Sequence, residues 1–126
     1  PAEAAQFARD THVDAMAISV GNVHLQQNQE GGLDEDRIRA IEAVTDIPLV
    51  IHGGSGVPSD QRRHLARTTK ICKFNIGTEL RMAFGASLRA SLVRDHDRFD
   101  RVQILAEVEP DIQIAARRVL RGLAAD

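Results

Sequence analysis

Two histidines of this 126-residue chain stand beside glycine-rich segments that could present them to a metal ion. His24 lies within the polar segment Gly21–Gly32, and His52 directly precedes Gly53–Gly56. A catalytic zinc takes about three protein ligands, often histidines, and keeps one position open. A lone loop histidine is usually a solvated side chain, but two at equivalent places beside glycines form a stronger signal. The pair therefore predicts part of a zinc site.

Two short glycine-containing segments could hold a phosphate group. Gly53–Gly56 and Gly77–Thr78 can each direct backbone N–H groups at an anion. The second does so at a predicted helix N-terminus, where the helix dipole also favours negative charge. Arg81, one turn into that helix, could assist or could pair with other surface groups. One glycine loop is often only a turn, but two after adjacent strands are typical of barrel phosphate sites.

Three strand–loop–helix units must position these residues. The predicted strands are short apolar segments, each followed by a polar loop: Val13–Val20, Pro48–His52 and Ile71–Ile76. The first three predicted helices are Pro1–Thr11, Asp34–Val44 and Ser59–Arg67, and Asp34 caps the second of them. A fourth helix is predicted to be capped by Thr78, with four apolar residues on its inner face: Leu80, Phe84, Leu88 and Leu92. A last helix is predicted to start near Pro110. Such alternation implies adjacent parallel strands, so all the polar strand ends share one face.

The composition argues against several classes of protein. A formal net charge of −2 provides no basic excess for nucleic acid or a membrane surface, and no apolar run is long enough to span a bilayer. The single cysteine, Cys72, cannot form an intrachain disulfide, so a reducing, cytoplasmic setting is expected. The other histidines lie in polar helical or turn segments and are interpreted as surface residues: His12, His64 and His96.

The number of strands limits the architecture. A barrel of eight strand–helix units takes about 250 residues, and three strands cannot close one. The chain is therefore expected to be either a small open sheet or part of something larger, with residues 1–126 forming one domain.

Four segments stand in a specific order and spacing: GNVH, LDEDRI, IPLVIHGGSGVP and ICKFNIGTELRMAF. They resemble the C-terminal part of class II (zinc-dependent) ketose-bisphosphate aldolases, with the tagatose-bisphosphate type the most similar. The opening PAEAAQFARDTHVDAM matches the helix and strand that lead into the sixth strand of that family. The resemblance extends to about Leu92 and more loosely over the last helix. The resemblance implies that this chain forms strands six to eight of a (β/α)8 TIM barrel, which is an α/β fold.

The resemblance also implies roles for individual residues. His24 and His52 correspond to two of three zinc-binding histidines. The residues that would hold dihydroxyacetone phosphate are Gly53, Gly54, Ser55, Asn75, Ile76, Gly77 and Thr78. Asn75 would orient that substrate. The implied reaction is reversible aldol cleavage of a ketose bisphosphate or related phosphorylated ketose in glycolysis or similar carbohydrate metabolism, with zinc as a Lewis acid that stabilises the enediolate. A monovalent cation is a further candidate cofactor.

The sequence departs from the family pattern at Leu25, where glycine is usual, and mildly at Ile76 and Gly77. The third zinc histidine and the acid–base aspartate of the family belong to strand three, which would precede Pro1. Asp95–His96 lies in a helix connection and cannot replace them. The chain alone is therefore expected to bind zinc poorly, to lack aldolase activity, and to associate with copies of itself or with a complementary barrel fragment.

Two other functions remain open at this point. A metal-free phosphate-binding or interaction module on the same scaffold would bind sulfate or phosphate but not zinc. An isomerase-type barrel without metal needs a carboxylate base at a strand end, and the sequence provides none. The expected partner is a small phosphorylated sugar, with no nucleic acid and no membrane.

Overall fold

The computed structural model describes residues 1–124, in which five helices alternate with or follow the strands of a parallel sheet. The strands are β1 (Met16–Ile18), β2 (Leu49–Ile51) and β3 (Ile71–Phe74), in the spatial order β1-β2-β3. The helices are α1 (Ala2–Thr11), α2 (Glu35–Glu42), α3 (Ser59–Thr68), α4 (Thr78–Arg94) and α5 (Arg101–Leu123). Both strand pairs are parallel, which confirms the predicted topology.

β1 is shorter than the apolar pattern indicated. The sequence predicts a strand over Val13–Val20, whereas pairing with β2 covers only Met16–Ile18. Val20 nevertheless belongs to the hydrophobic core, and Val13 packs against it. The apolar pattern therefore marks burial, while the length of the strand is set by the neighbour with which it pairs.

β3 carries one extra residue. Ile71 pairs with Leu49 and Lys73 pairs with Val50, which leaves Cys72 between them as a bulge. The Cys72 thiol is exposed there, although its neighbours in sequence are largely apolar, and its Sγ donates a weak hydrogen bond to the Leu49 carbonyl oxygen at 3.5 Å.

The hydrophobic core joins one face of the sheet to α2 and α3. Leu49 and Ile51 of β2 are fully buried, as are Ile38 of α2 and Leu65 of α3. By contrast, Lys73 of β3 is exposed although Ile71, two residues earlier, is buried, because the bulge at Cys72 shifts the alternation of faces by one residue. The other buried members of the core are Met16, Ile18, Val20, Leu33, Ile41, Val57 and Ile71.

The caps of two helices were predicted with different success. Asp34 caps α2 as predicted, since its side chain accepts a hydrogen bond from the Arg37 N–H at 2.9 Å. The prediction for α4 was wrong by one residue: Gly77 is the cap, and Thr78 is the first helical residue. The Thr78 hydroxyl instead lies 3.4 Å from a donor nitrogen of Arg81.

The predicted start of the last helix near Pro110 was wrong. α5 runs from Arg101 to Leu123 with Pro110 inside it. Its cap is Asp100, whose side chain accepts a hydrogen bond from the Val102 N–H at 2.9 Å. The proline, a good first helical residue, concealed this cap in the sequence. Despite its length, neither α5 nor any other helix within residues 1–124 is apolar enough to cross a membrane.

The inner face of α4 only partly follows its apolar pattern. Leu80, Phe84 and Leu88 are half-buried as predicted, whereas Leu92 is exposed and Ser91 is buried. Burial on this helix is therefore not decided by its leucines alone.

A charged cluster joins α4 to α5. Glu107 of α5 accepts a hydrogen bond from the Ser91 hydroxyl at 2.9 Å and forms ion pairs with Arg94 and Arg98. The Ser91 hydroxyl and then the Arg94 guanidinium hold the pKa of the Glu107 carboxyl below its usual value. Buried Ser91 is thus explained by a polar contact between the two helices.

Candidate functional site

The first loop, Gly21–Gly32, follows β1 without regular secondary structure, as predicted. Asn22 fixes its start, because its side-chain oxygen accepts a hydrogen bond from the Val20 N–H at 2.8 Å. The amide nitrogen of Asn22 donates in turn to the His52 carbonyl oxygen at 3.0 Å. One side chain therefore ties the ends of β1 and β2 together and places exposed His24 beside His52.

Leu25 adopts an unusual backbone conformation directly after His24. Its φ angle is +62°, in the left-handed region that residues other than glycine and asparagine rarely occupy. Its side chain is 71% exposed, so packing against the core does not compensate for that conformation. The sequence marked this position only as a departure from a usual glycine, and the backbone shows why glycine suits it.

The second loop, His52–Gly56, is short and partly buried. Gly53 has a φ of +68°, and a Cβ built there would lie 2.4 Å from the Val23 carbonyl oxygen. The residues after it form a 3-10 turn, Gly54–Gly56, all of them buried. Glycine at position 53 therefore permits a close approach of the second loop to the first, one residue before His24.

The end of β3 is bound to the second loop through the backbone. The Asn75 N–H donates to the Ile51 carbonyl oxygen at 2.8 Å, and the Gly54 N–H donates to the Asn75 carbonyl oxygen at 3.0 Å. The Gly54 N–H is thus engaged within the protein. Its contribution here is to hold the loop in place, and Gly54 does not line the cleft described below.

The two predicted metal-ligating histidines meet at the strand ends. The ring centroids of His24 and His52 are 5.8 Å apart, with the planes tilted by 57°. Two imidazoles that bind one tetrahedral zinc at Zn–N distances of about 2.0–2.1 Å have centroids roughly 5 Å apart. The observed separation therefore fits two ligands of one metal after a small movement of either side chain.

A complete metal centre needs a further protein ligand. Within residues 1–124, no group of three or more His, Cys, Asp or Glu side chains is placed to hold a metal ion. The histidine pair would accordingly supply two of the roughly three protein ligands that a catalytic zinc requires.

Asn75 lies against the imidazole of His52. Its side-chain nitrogen is 3.2 Å from both ring nitrogens, so the amide faces the edge of the ring between them. An amide N–H₂ can only donate, and which ring nitrogen accepts depends on the tautomer of the histidine. This contact determines which edge of the His52 ring faces the end of β3.

The start of α4 forms the other wall of the site. The Glu79 N–H donates to the Ser55 hydroxyl oxygen at 3.2 Å, which binds the second loop to the first turn of α4. A Cβ at Gly77 would lie 3.2–3.4 Å from the guanidinium of Arg81, so this glycine lets the cation pack over the helix start. Backbone donors, a helix N-terminus and one arginine are therefore gathered around Gly77 and Thr78.

These groups surround one open cleft of about 410 Å³. Eight of the predicted site residues line it, joined by Leu25 and Phe74, which were not in the predicted site, and by Arg81, which the sequence offered as a possible aid to phosphate binding. The predicted residues in the lining are His24, His52, Gly53, Ser55, Asn75, Ile76, Gly77 and Thr78. The other three histidines are exposed and lie outside this cleft, as the sequence indicated: His12, His64 and His96.

Asn22 is the residue whose role the sequence did not reveal. An asparagine just after a strand commonly bonds nearby backbone groups, which was the available signal. Its bond to the end of β2 could not be inferred, because that contact requires knowledge of which strands are neighbours.

Comparison with known proteins places this arrangement in context. The family model described as "Fructose-bisphosphate aldolase class-II" matches residues 1–126. Among solved structures, the "X-ray crystal structure of the YdjI aldolase from Escherichia coli K12" is similar over 100% of this chain, with a TM-score of 0.75 and 25% sequence identity. The chain spans 44% of the length of that structure. Its parallel strands and helices therefore correspond to part of a TIM barrel.

Proposed function

The chain belongs to the class II fructose-bisphosphate aldolase family, and from that membership we propose that it carries part of the active site for zinc-dependent, reversible aldol cleavage of a phosphorylated ketose. The observation that supports this best is the pair His24 and His52, which lie 5.8 Å apart at neighbouring strand ends. Zinc bound there would supply a Lewis acid for the ketone oxygen of the substrate.

His24 and His52 would each donate a ring nitrogen to the metal. The backbone of β2 and the Asn22 bond to the His52 carbonyl hold the second histidine in place. Asn75 would position the dihydroxyacetone phosphate portion of the substrate, because its N–H₂ group would leave the His52 ring once the metal takes the acceptor nitrogen of that ring. Residues that fix a reacting group in this way lower the entropy cost of reaching the transition state.

The phosphate of the substrate would bind between the second loop and α4. The Ser55 hydroxyl, the backbone at Gly53 and Gly77, and the dipole of α4 all favour an anion at that place. Arg81 adds a positive charge on the same wall. Water is only partly excluded by this open cleft.

The remaining zinc ligand and the acid–base group are proposed to come from another part of the barrel, because no third ligand accompanies the histidine pair within residues 1–124. In this proposal residues 1–126 are one partial barrel domain, and the barrel is completed by further sequence or by a complementary fragment. A monovalent cation and a cytoplasmic location belong to the same proposal.

Zinc titration of single variants tests the metal site. We expect His24→Ala and His52→Ala each to weaken zinc binding by about tenfold or more, since each removes one of two protein ligands. His96→Ala is the matched control, because His96 is an exposed histidine outside the cleft. Zinc binding that is insensitive to both site variants would overturn the metal site. Phosphate binding without zinc binding would favour a metal-free module.

An activity assay tests whether this chain carries only part of the active site. The chain alone, with added zinc, is expected to release no triose from ketose bisphosphates. A fragment that carries strands one to five of a class II aldolase barrel should restore turnover, and His52→Ala in this chain should abolish it again. Robust turnover by the chain alone would show that the acid–base group or the reaction has been misassigned.

A further inference from the structure

A second and larger cleft, of about 870 Å³, lies between α3 and the C-terminal part of α5. It shares no lining residue with the histidine cleft. Among residues 1–124, its charged lining consists of five arginines and one carboxylate: Arg62, Arg63, Arg117, Arg118, Arg121 and Glu79. This is a strong local excess of positive charge on a chain whose formal net charge is −2.

Arg62 is the most unusual member of this group. It is only 4% exposed, and its NH1 nitrogen lies 2.8 Å from a carboxylate oxygen of Glu79. That nitrogen makes this ion pair but no hydrogen bond within the described part of the chain. The Glu79 carboxylate offsets the charge of the buried guanidinium, and an anion in the cleft would satisfy the donor that remains without a hydrogen bond.

Structural roles account for only some of the other arginines. Arg63 donates a hydrogen bond to the Gly122 carbonyl oxygen at 3.1 Å. Arg121 lies in the last turn of α5, where its positive charge interacts favourably with the helix dipole. Arg117 and Arg118 lie before that turn, where the dipole has little effect. Neither has an ion-pair partner among residues 1–124.

We infer that this cleft binds a small anion with two or more phosphate or carboxylate groups. Guanidinium groups bind such oxyanions through paired hydrogen bonds, and here they approach from two different helices. A single phosphate can contact only a few of them, so two or more anionic groups match the spread of charge better. The volume lies in the range of about 300–1,000 Å³ that is usual for small-molecule sites.

Inorganic pyrophosphate is the probe for this site. We expect it to shift the amide NMR signals of Ser59 and Gly122 in the cleft and to bind more tightly than monophosphate. The double variant Arg117→Gln/Arg121→Gln should weaken pyrophosphate binding by about tenfold or more. The control Arg89→Gln/Arg101→Gln removes the same charge from exposed positions outside the cleft and should change binding by less than about twofold.

Two results would overturn this site. If both double variants weakened pyrophosphate binding equally, the anion would be attracted by the positive charge of the protein in general and not by this cleft. Pyrophosphate shifts confined to Gly53 and Gly77, which line the histidine cleft, would place the anion in that cleft alone. Both double variants change exposed side chains, so they test binding without removing a buried group.

Glu79→Gln tests whether the anion reaches Arg62. This variant removes the carboxylate that the described residues contribute to the lining, and it frees the Arg62 guanidinium from its ion pair. We expect pyrophosphate to bind roughly threefold to tenfold more tightly to it. Unchanged or weaker binding would show that the anion does not lie near Arg62, and the inference would fail.

Discussion

The loops after β1 and β2 each carry one histidine to the same cleft, but they are held in different ways. The second loop, His52–Gly56, is largely a buried turn whose Gly54 N–H is bonded to the end of β3. The first loop, Gly21–Gly32, is mostly exposed and is fastened near its ends, by Asn22 and by the Gly31 N–H, which donates to the Gly56 carbonyl oxygen.

This difference shows that the two histidines are not positioned independently. His52 takes its place from β2 and its neighbours in the sheet. His24 takes its place from the contact of the first loop with the second, at Val23 and Gly53. The distance between the two rings therefore depends on that contact as much as on the strands.

Gly53→Ala is expected to have the largest effect. A Cβ there combines a left-handed backbone with a contact of 2.4 Å to the Val23 carbonyl oxygen, which is backbone and cannot rotate away. We expect a loss of about 2–4 kcal/mol in the free energy of unfolding, together with weaker zinc binding. Urea unfolding and zinc titration measure the two effects.

Gly31→Ala is the matched control in the first loop. Its Cβ would meet the end of the flexible Gln26 side chain, which can move, so the change should stay within about 0.5 kcal/mol. If Gly53→Ala were as well tolerated as Gly31→Ala, the two loops would not be in close contact in solution.

Asn22 provides a test of the link between the loops. Asn22→Ala removes both of its backbone hydrogen bonds and should destabilise the protein by about 1–2 kcal/mol. Asn22→Asp keeps the acceptor for the Val20 N–H but turns a carboxylate oxygen toward the His52 carbonyl oxygen, so we expect a loss at least as large as that of Asn22→Ala. Thermal unfolding ranks the three proteins, and an aspartate variant as stable as the parent would mean that the bond to His52 contributes nothing.

Leu25→Gly is the smallest of these effects and has the opposite sign. Glycine relieves the left-handed strain at this exposed position, and this gain outweighs the cost of the greater flexibility of glycine in the unfolded chain. The variant should therefore be more stable than the parent by up to about 1 kcal/mol. Leu25→Ala controls for loss of the side chain, since alanine keeps the strain and should not stabilise. Equal gains from both variants in urea unfolding would show that the leucine side chain, and not its backbone, is unfavourable.

Much of the fold was predictable from local pattern. Branched apolar runs followed by glycine or polar loops identified all three strands, and the Asp34 cap identified the start of α2. The placement of His52 before a glycine loop pointed to the cleft. Each of these signals lies within a few residues of the feature that it predicts.

The remaining features depend on contacts between distant segments. Pairing with a neighbour limits β1 to Met16–Ile18, and a bulge exposes Cys72. The helix cap at Asp100 was hidden by the stronger signal of Pro110. The arginine cleft escaped notice because α3 and α5 are far apart in sequence.

The parallel register of the sheet also has a kinetic consequence. Less chain separates Leu49 from its partner Ile71 than separates Leu49 from its partner Met16, so the loop that joins β2 to β3 closes at the lower entropy cost. We expect β2, α3 and β3 to form the folding nucleus, with β1 docking after the transition state. In stopped-flow experiments Leu65→Ala should then mainly slow refolding, whereas Met16→Ala should mainly accelerate unfolding, and the reverse pattern would place the nucleus at β1. The histidine cleft, which needs both strand pairs, would accordingly be among the last parts of the molecule to assemble.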